Sequence, residues 1–106
     1  MDANPIHSFE MQAAKSGLMA IFSGKSMLCL HDRGISWPEG SAKKFVEYTK
    51  ISMMKYSKYY STVSIIHTGF GASETKKITV LNIMQFEKTW NDFAGKKGLS
   101  ITLKAE

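Results

Sequence analysis

Residues 82–97, NIMQFEKTWNDFAGKK, carry the clearest helical pattern in the chain. Their large apolar residues recur at spacings of three and four, which places them on one stripe of a helix with 3.6 residues per turn. Asn82 is a suitable N-cap with Gln85 three residues later, and Gly95 or Gly98 can supply a left-handed C-cap. The apolar stripe consists of Ile83, Phe86, Trp90, Phe93 and Ala94. A helix with one apolar face needs an apolar partner, so we expect it to pack on the segments that precede it.

Several short runs before the helix alternate apolar and polar residues and are separated by turn signals, as strands are. Ser8 can cap a short helix near the N-terminus. Residues 42–60 are ambiguous: Ser41 could cap a helix there, but the β-branched and aromatic residues favour strand. The clearer strand predictions are residues 18–22, 27–30, 35–37, 61–67, 76–81 and 99–104.

This pattern predicts an α+β fold with a strongly bent antiparallel sheet, or partly open barrel, of about seven strands and one C-terminal amphipathic helix. The length of 106 residues suits one hydrophobic core, and 43% hydrophobic and 22% charged residues are ordinary for a folded domain. We expect a single domain over residues 17–104. Residues 1–16 are expected to form an irregular or short helical segment before it.

Three segments, SMLCLHDRGISW at residues 26–37, KFVEYTKI at 44–51 and FEKTWNDFAGKKG at 86–98, resemble a known superfold. In this order they are similar to the pleckstrin-homology-like (PH-like) superfold, in particular to small bacterial PH-like domains. The resemblance covers about residues 17–98. It implies a strongly bent barrel that the C-terminal helix closes at one open end, with Trp90 packed over that end.

The chain departs from lipid-binding PH domains in the first hairpin, where those domains carry several lysines and arginines. Its turn at residues 23–25 has one lysine, and the His31-Asp32-Arg33 turn replaces a basic residue with histidine and adds an acid. A PH-like fold without the basic signature implies a protein-binding or assembly module, since a fold does not fix a function.

The residues that enzymes and metal sites need are few and separated in this sequence. His7, His31 and His67 lack metal-site spacing, and the single cysteine, Cys29, lies in an apolar run typical of a core. The glycine-rich residues 69–73 precede a strand, so they lack the helix N-terminus that binds phosphate. We therefore expect no enzyme, no cofactor and no metal.

Cellular location follows from what the sequence lacks. One cysteine excludes an internal disulfide and favours a reducing compartment. Asp2 and Glu10 lie where a signal peptide would carry basic and apolar regions, and no stretch approaches the roughly 20 apolar residues of a membrane span. We expect a cytoplasmic protein.

Methionines and tyrosines alternate with lysines in residues 50–60, a mixture common at interfaces. One strand face cannot bury all of these side chains, so some tyrosine and lysine should be exposed. The candidate partner-binding residues are Lys50, Lys55, Tyr56, Lys58, Tyr59 and Tyr60.

We expect a non-catalytic protein-interaction or assembly module that holds a protein, or a second copy of itself, at this region or at an exposed strand edge. The net charge of +5 supports an alternative, in which the lysines bind nucleic acid or an anionic membrane. A further alternative is a small accessory or inhibitor protein that acts on a larger machine.

Overall fold

The computed structural model describes residues 5–11, 26–39, 42–69 and 71–106. In these residues the strands form two four-stranded sheets, ordered β1-β2-β3-β4 and β7-β6-β5-β8. The elements are β1 (His7–Glu10), β2 (Met27–Leu30), β3 (Gly34–Glu39), β4 (Ala42–Glu47), a 3₁₀ turn (Tyr48–Lys50), β5 (Ile51–Ser57), β6 (Thr62–Thr68), β7 (Ser73–Thr79), α1 (Ile83–Lys97) and β8 (Leu103–Ala105). The predicted α+β class with a C-terminal helix is confirmed. The two sheets do not close into a barrel within the described residues.

The two sheets meet where the end of β1 approaches the end of β7. Met11 forms an isolated antiparallel bridge with Val80, and the Leu81 N–H donates to the Glu10 carbonyl at 3.0 Å. This contact lies directly before α1, so the helix starts from the corner between the sheets.

Buried residues of both sheets and of α1 form one hydrophobic core. The largest fully buried side chains are Trp37, Trp90, Phe86, Leu28, Leu30, Ile35, Met54, Ile65, Ile78, Val63 and Val80. The predicted helix stripe supplies Ile83, Phe86, Trp90, Phe93 and Ala94, all of which are buried. The stripe prediction is therefore confirmed.

The ends of α1 also follow the sequence prediction. The Asn82 side chain accepts a hydrogen bond from the Gln85 N–H at 3.0 Å, which satisfies one of the free amides of the first turn. Gly98 has φ +71°, and its N–H bonds to the carbonyls of Ala94 and Gly95. A left-handed glycine after the last helical residue is the usual way to end a helix.

Trp90 is 1% exposed and is the centre of an aromatic cluster. The Phe86 ring lies nearly parallel to it at 6.5 Å between centroids, and Tyr48 and Phe93 lie at 5.9 and 6.1 Å. The Tyr48 hydroxyl donates to the His31 carbonyl at 2.7 Å, and burial raises the pKa of Tyr48. The 3₁₀ turn between the sheets thus contributes to the same core as the helix.

Residues 42–60 form strands, as favoured over the helix. β4 and β5 flank the short 3₁₀ turn, and Val46 and Tyr48 are buried while Glu47 and Thr49 are exposed. The change of direction between the two sheets therefore occurs at residues 48–50.

Two strand assignments correct the sequence prediction. The short helix expected from Ser8 is wrong over residues 7–10, where β1 pairs with β2 and places Phe9 opposite Leu28. The last strand begins only at Leu103 and pairs with β5 in parallel, so the second sheet is not purely antiparallel. The predicted strand at residues 18–22 lies outside the described residues.

Candidate functional site

Three of the six candidate residues lie together on the turn between β5 and β6, which we call the tyrosine turn (residues 58–61). Tyr59 and Tyr60 are 87% and 70% exposed, and their rings make an edge-to-face contact at 4.8 Å between centroids. Lys58 beside them is also exposed. The turn therefore presents an aromatic pair with an adjacent positive charge.

Hydrogen bonds fix the backbone of the tyrosine turn. The Tyr60 N–H donates to the Ser57 hydroxyl oxygen at 3.1 Å. Ser61 has φ +57°, and its hydroxyl donates to the Val80 carbonyl at 2.6 Å while the Val80 N–H donates back to the Ser61 carbonyl at 2.9 Å. An ordered turn loses little conformational freedom when its side chains bind a partner.

The attachment to Val80 brings a second exposed apolar group near the tyrosine turn. Leu81 follows Val80 directly and is 58% exposed, and Met84 in the first turn of α1 is 55% exposed. Neither residue was among the candidates from the sequence. The proximity of Leu81 to the turn depends on the contact between Ser61 and Val80, which no local sequence pattern reveals.

Tyr56 does not belong to this surface. It is 6% exposed, and its hydroxyl donates to a Glu87 carboxylate oxygen at 2.5 Å. The same hydrogen bond raises the pKa of Tyr56, because it favours the protonated phenol. Tyr56 therefore joins β5 to α1 and is buried, so the structure separates it from the exposed candidate residues of the tyrosine turn.

Lys50 and Lys55 lie apart from the tyrosine turn and from each other. Lys50 ends the 3₁₀ turn and lines a groove of about 580 Å³ between the edge strand β4 and residues 67–69. Lys55 is half-buried in the middle of β5, directly opposite Ser64 on β6 and Lys104 on β8. The structure thus divides the candidate lysines among three surfaces.

The described residues offer little for catalysis or metal binding. Cys29 is buried, and its thiol lies 3.5 Å from the Ser8 hydroxyl. His67 is buried with Glu74 at 3.9 Å, and His31 lies 2.7 Å from the Ser36 hydroxyl. Among these residues, no group of three or more His, Cys, Asp or Glu side chains could hold a metal ion.

No protein-family model matches this chain, and no curated protein does. Within the described part of the chain, no helix has both the length and the apolar character needed to cross a membrane. The function must therefore be inferred from the surfaces themselves.

Proposed function

We propose that this chain is a non-catalytic protein-interaction or assembly module of PH-like type that holds a partner protein at the tyrosine turn. The observation that carries this proposal is the exposed Tyr59–Tyr60 pair on a hydrogen-bonded turn. Tyrosine is among the residues that contribute most binding energy at protein interfaces. A ring pair that is 87% and 70% exposed contributes little to the core, so its apolar area remains to be covered by a partner.

The surroundings of the tyrosine turn fit a protein interface. Leu81, which follows the Val80 bonded to the turn, adds exposed apolar area, and Lys58 supplies a charge of the kind found at interface rims. Truncating one such central aromatic typically costs about 2 kcal/mol or more of binding free energy. The two tyrosines together should therefore determine most of the affinity.

The order of elements supports the PH-like part of the proposal. Four strands of one sheet precede three antiparallel strands of a second, α1 follows them, and Trp90 is buried under the helix. This is the order that the resemblance implies. β8, which pairs in parallel with β5, is an addition to it.

The experiment compares the parent chain with a Tyr59→Ser/Tyr60→Ser double variant. Light scattering measures self-association. Immobilised protein is used to retain partners from a cell extract. The extract is kept under reducing conditions, which suit the proposed cytoplasmic location and the buried free cysteine. The double variant should bind its partner, or a second copy of the chain, with an affinity reduced by about 100-fold or more. This is the loss expected when two interface tyrosines are removed.

Ile6→Ser is the matched control, because Ile6 is 50% exposed and lies beyond the other end of β1 from the Val80 corner. It should bind as the parent does, and both variants should keep the thermal stability of the parent to within about 0.5 kcal/mol. A strictly monomeric parent that retains no protein, or a double variant that binds as the parent does, would refute the proposal.

A further inference from the structure

The outer face of the second sheet carries a row of three lysines that the protein-binding proposal does not use. The strand register places Lys104 opposite Lys55, Lys55 opposite Ser64, and Ser64 opposite Lys77. All four side chains point to the same face, because directly paired residues of neighbouring strands share a face. Neighbouring strands are about 4.8 Å apart, so this lysine row spans about 14 Å across β8, β5, β6 and β7.

The lysine row lies on the face away from the core. The adjacent positions Tyr56, Val63 and Ile78 are buried in the core, and strand side chains alternate between faces. Lys77 and Lys104 are exposed and Lys55 is half-buried. The positive charges are therefore available at the surface.

The charges of the lysine row are not neutralised by ion pairs within the described part of the chain. None of the three lysines forms an ion pair with a described carboxylate; the ion pairs of the described lysines involve Lys76, Lys96 and Lys97. Like charges directly opposite each other on neighbouring strands are destabilising, and Lys55 and Lys104 are such a pair. A bound anion would relieve this repulsion.

One acidic group already reaches the middle of the lysine row. The Ser64 hydroxyl donates to a Glu106 carboxylate oxygen at 3.4 Å, and Ser64 itself lies between Lys55 and Lys77. The carboxylate thus takes the position in which lysines and a hydroxyl group can surround an anionic oxygen. An external anion with stronger charge would compete with it.

The other residues of this face favour phosphate groups as the anion. Lysine, serine and threonine are side chains that commonly contact phosphate oxygens in nucleic acids. The row on one side of the lysines holds Ser57, Thr62 and Thr79, of which Ser57 and Thr62 are buried, and the row on the other side holds Thr75 beside Met53 and Ile66. The apolar residues of these rows, Met53 and Ile66, are half-buried, and none of the exposed large apolar side chains of the described residues lies on this face, so the face is poorly suited to insert into a bilayer.

We infer that the lysine row binds the phosphodiester backbone of single-stranded nucleic acid. A single strand leaves its bases free to stack, and the Tyr59–Tyr60 rings lie at the end of the same two strands, one row beyond Ser57 and Thr62. This activity goes beyond the proposed protein interaction and does not depend on it.

The test measures the affinity of the full chain for a labelled single-stranded oligonucleotide at several salt concentrations. Three neutralised phosphates predict a log–log slope of about −2, which is an affinity loss of about twentyfold between 50 and 200 mM salt. A Lys55→Ala/Lys77→Ala/Lys104→Ala variant should lose most of this dependence. Lys77→Ala alone should reduce the slope by about 0.7.

The control variant removes the same number of positive charges from other elements: Lys43→Ala/Lys50→Ala/Lys88→Ala, in which all three lysines are exposed. This control should keep the slope of the parent, and Glu106→Gln should strengthen binding about threefold, because it removes the competing carboxylate. Circular dichroism melts establish that each variant is folded.

Four results would overturn the inference. The first is that the chain binds no oligonucleotide at 20 mM salt, and the second is that the control triple variant loses as much of the salt dependence as the lysine-row variant. The third is that a duplex binds as tightly as the single strand. The fourth is that the lysine row binds anionic vesicles but not oligonucleotides. The Tyr59→Ser/Tyr60→Ser protein-binding experiment is independent of all four, so either proposal can fail alone.

Discussion

Replacing Trp90 by alanine tests the central packing claim, that a buried aromatic cluster holds α1 to the core. Trp90 is 1% exposed, and Tyr48, Phe86 and Phe93 surround its ring at 5.9 to 6.5 Å between centroids. These neighbours come from the 3₁₀ turn and from α1 itself, so no single side chain can move to fill the vacated space. The substitution should therefore leave a cavity.

The magnitude follows from the lost burial and the cavity together. Truncating a buried aromatic residue to alanine costs about 3–5 kcal/mol, and a domain of this size is stable by about 5–15 kcal/mol. The substitution should therefore remove about a fifth of the stability or more. If the unfolding free energy falls by about 2 kcal/mol for each molar of urea, the urea concentration at the unfolding midpoint should fall by about 2 M.

Urea titration followed by circular dichroism is the suitable assay, because Trp90→Ala removes one of the two tryptophans and would confuse a fluorescence signal. Lys88→Ala is the matched control: Lys88 is exposed on the same helix, and its loss should change the unfolding free energy by less than about 0.5 kcal/mol. If Trp90→Ala unfolds within 0.5 kcal/mol of the parent, or if the two variants lose the same amount, the proposed packing of α1 is wrong.

Two glycine substitutions should have opposite effects in the same titration. Gly98→Ala puts a side chain at φ +71° and should cost about 1 kcal/mol, whereas Gly95→Ala, inside α1 with nothing within 4 Å of the added Cβ, should gain about 0.5–1 kcal/mol. A third variant, Asp32→Asn, tests stability in acid. The hydrogen bond and charge of Lys97 lower the pKa of Asp32. The Asp32 carboxylate therefore stabilises the fold above about pH 4 and loses that effect as the pH falls. Thermal melts should therefore show Asp32→Asn less stable than the parent at pH 7, and the difference should shrink as the pH falls below about 4. A difference that stays constant from pH 7 down into the acid range would contradict the ion pair.

The helix was predictable because its information is local. Its periodic stripe, its Asn82 cap and its Gly98 terminus all lie within one continuous stretch, and every one of them has the predicted role. The alternation of buried and exposed residues in β4 and the 3₁₀ turn is local in the same way. Both were therefore open to prediction without a structure.

β1 was not predictable by that reasoning, because its local signals favour another structure. Ser8 is a good N-cap, and a strand of four residues gives little alternation to detect. Pairing with β2 and the edge-to-face contact of Phe9 with Phe86, at 4.9 Å, determine the strand instead. Tertiary contacts therefore overrode the local propensity.

The candidate site shows the same division between local and distant information. Alternation predicts that some residues of β5 are buried, but it does not predict which ones. The pairing of β5 with β6 shifts register near Ser52, and beyond this irregularity Tyr56 faces the core and Lys55 faces away from it. Likewise, the sequence indicates that some tyrosine of residues 50–60 is exposed, but the end of strand pairing at Ser57 decides that Tyr59 and Tyr60 are the exposed ones.

The lysine row depends on register alone. Lys55, Lys77 and Lys104 are far apart in the sequence, where each has the appearance of an ordinary surface lysine. They form one row only because β6 pairs with β5 and β7 through the same residue, Ser64, and because β8 returns to the open edge of β5. A shift of one residue in either pairing would turn a lysine toward the core, where an unpaired charge is costly, so the packing that fixes the core also fixes the positions of these charges.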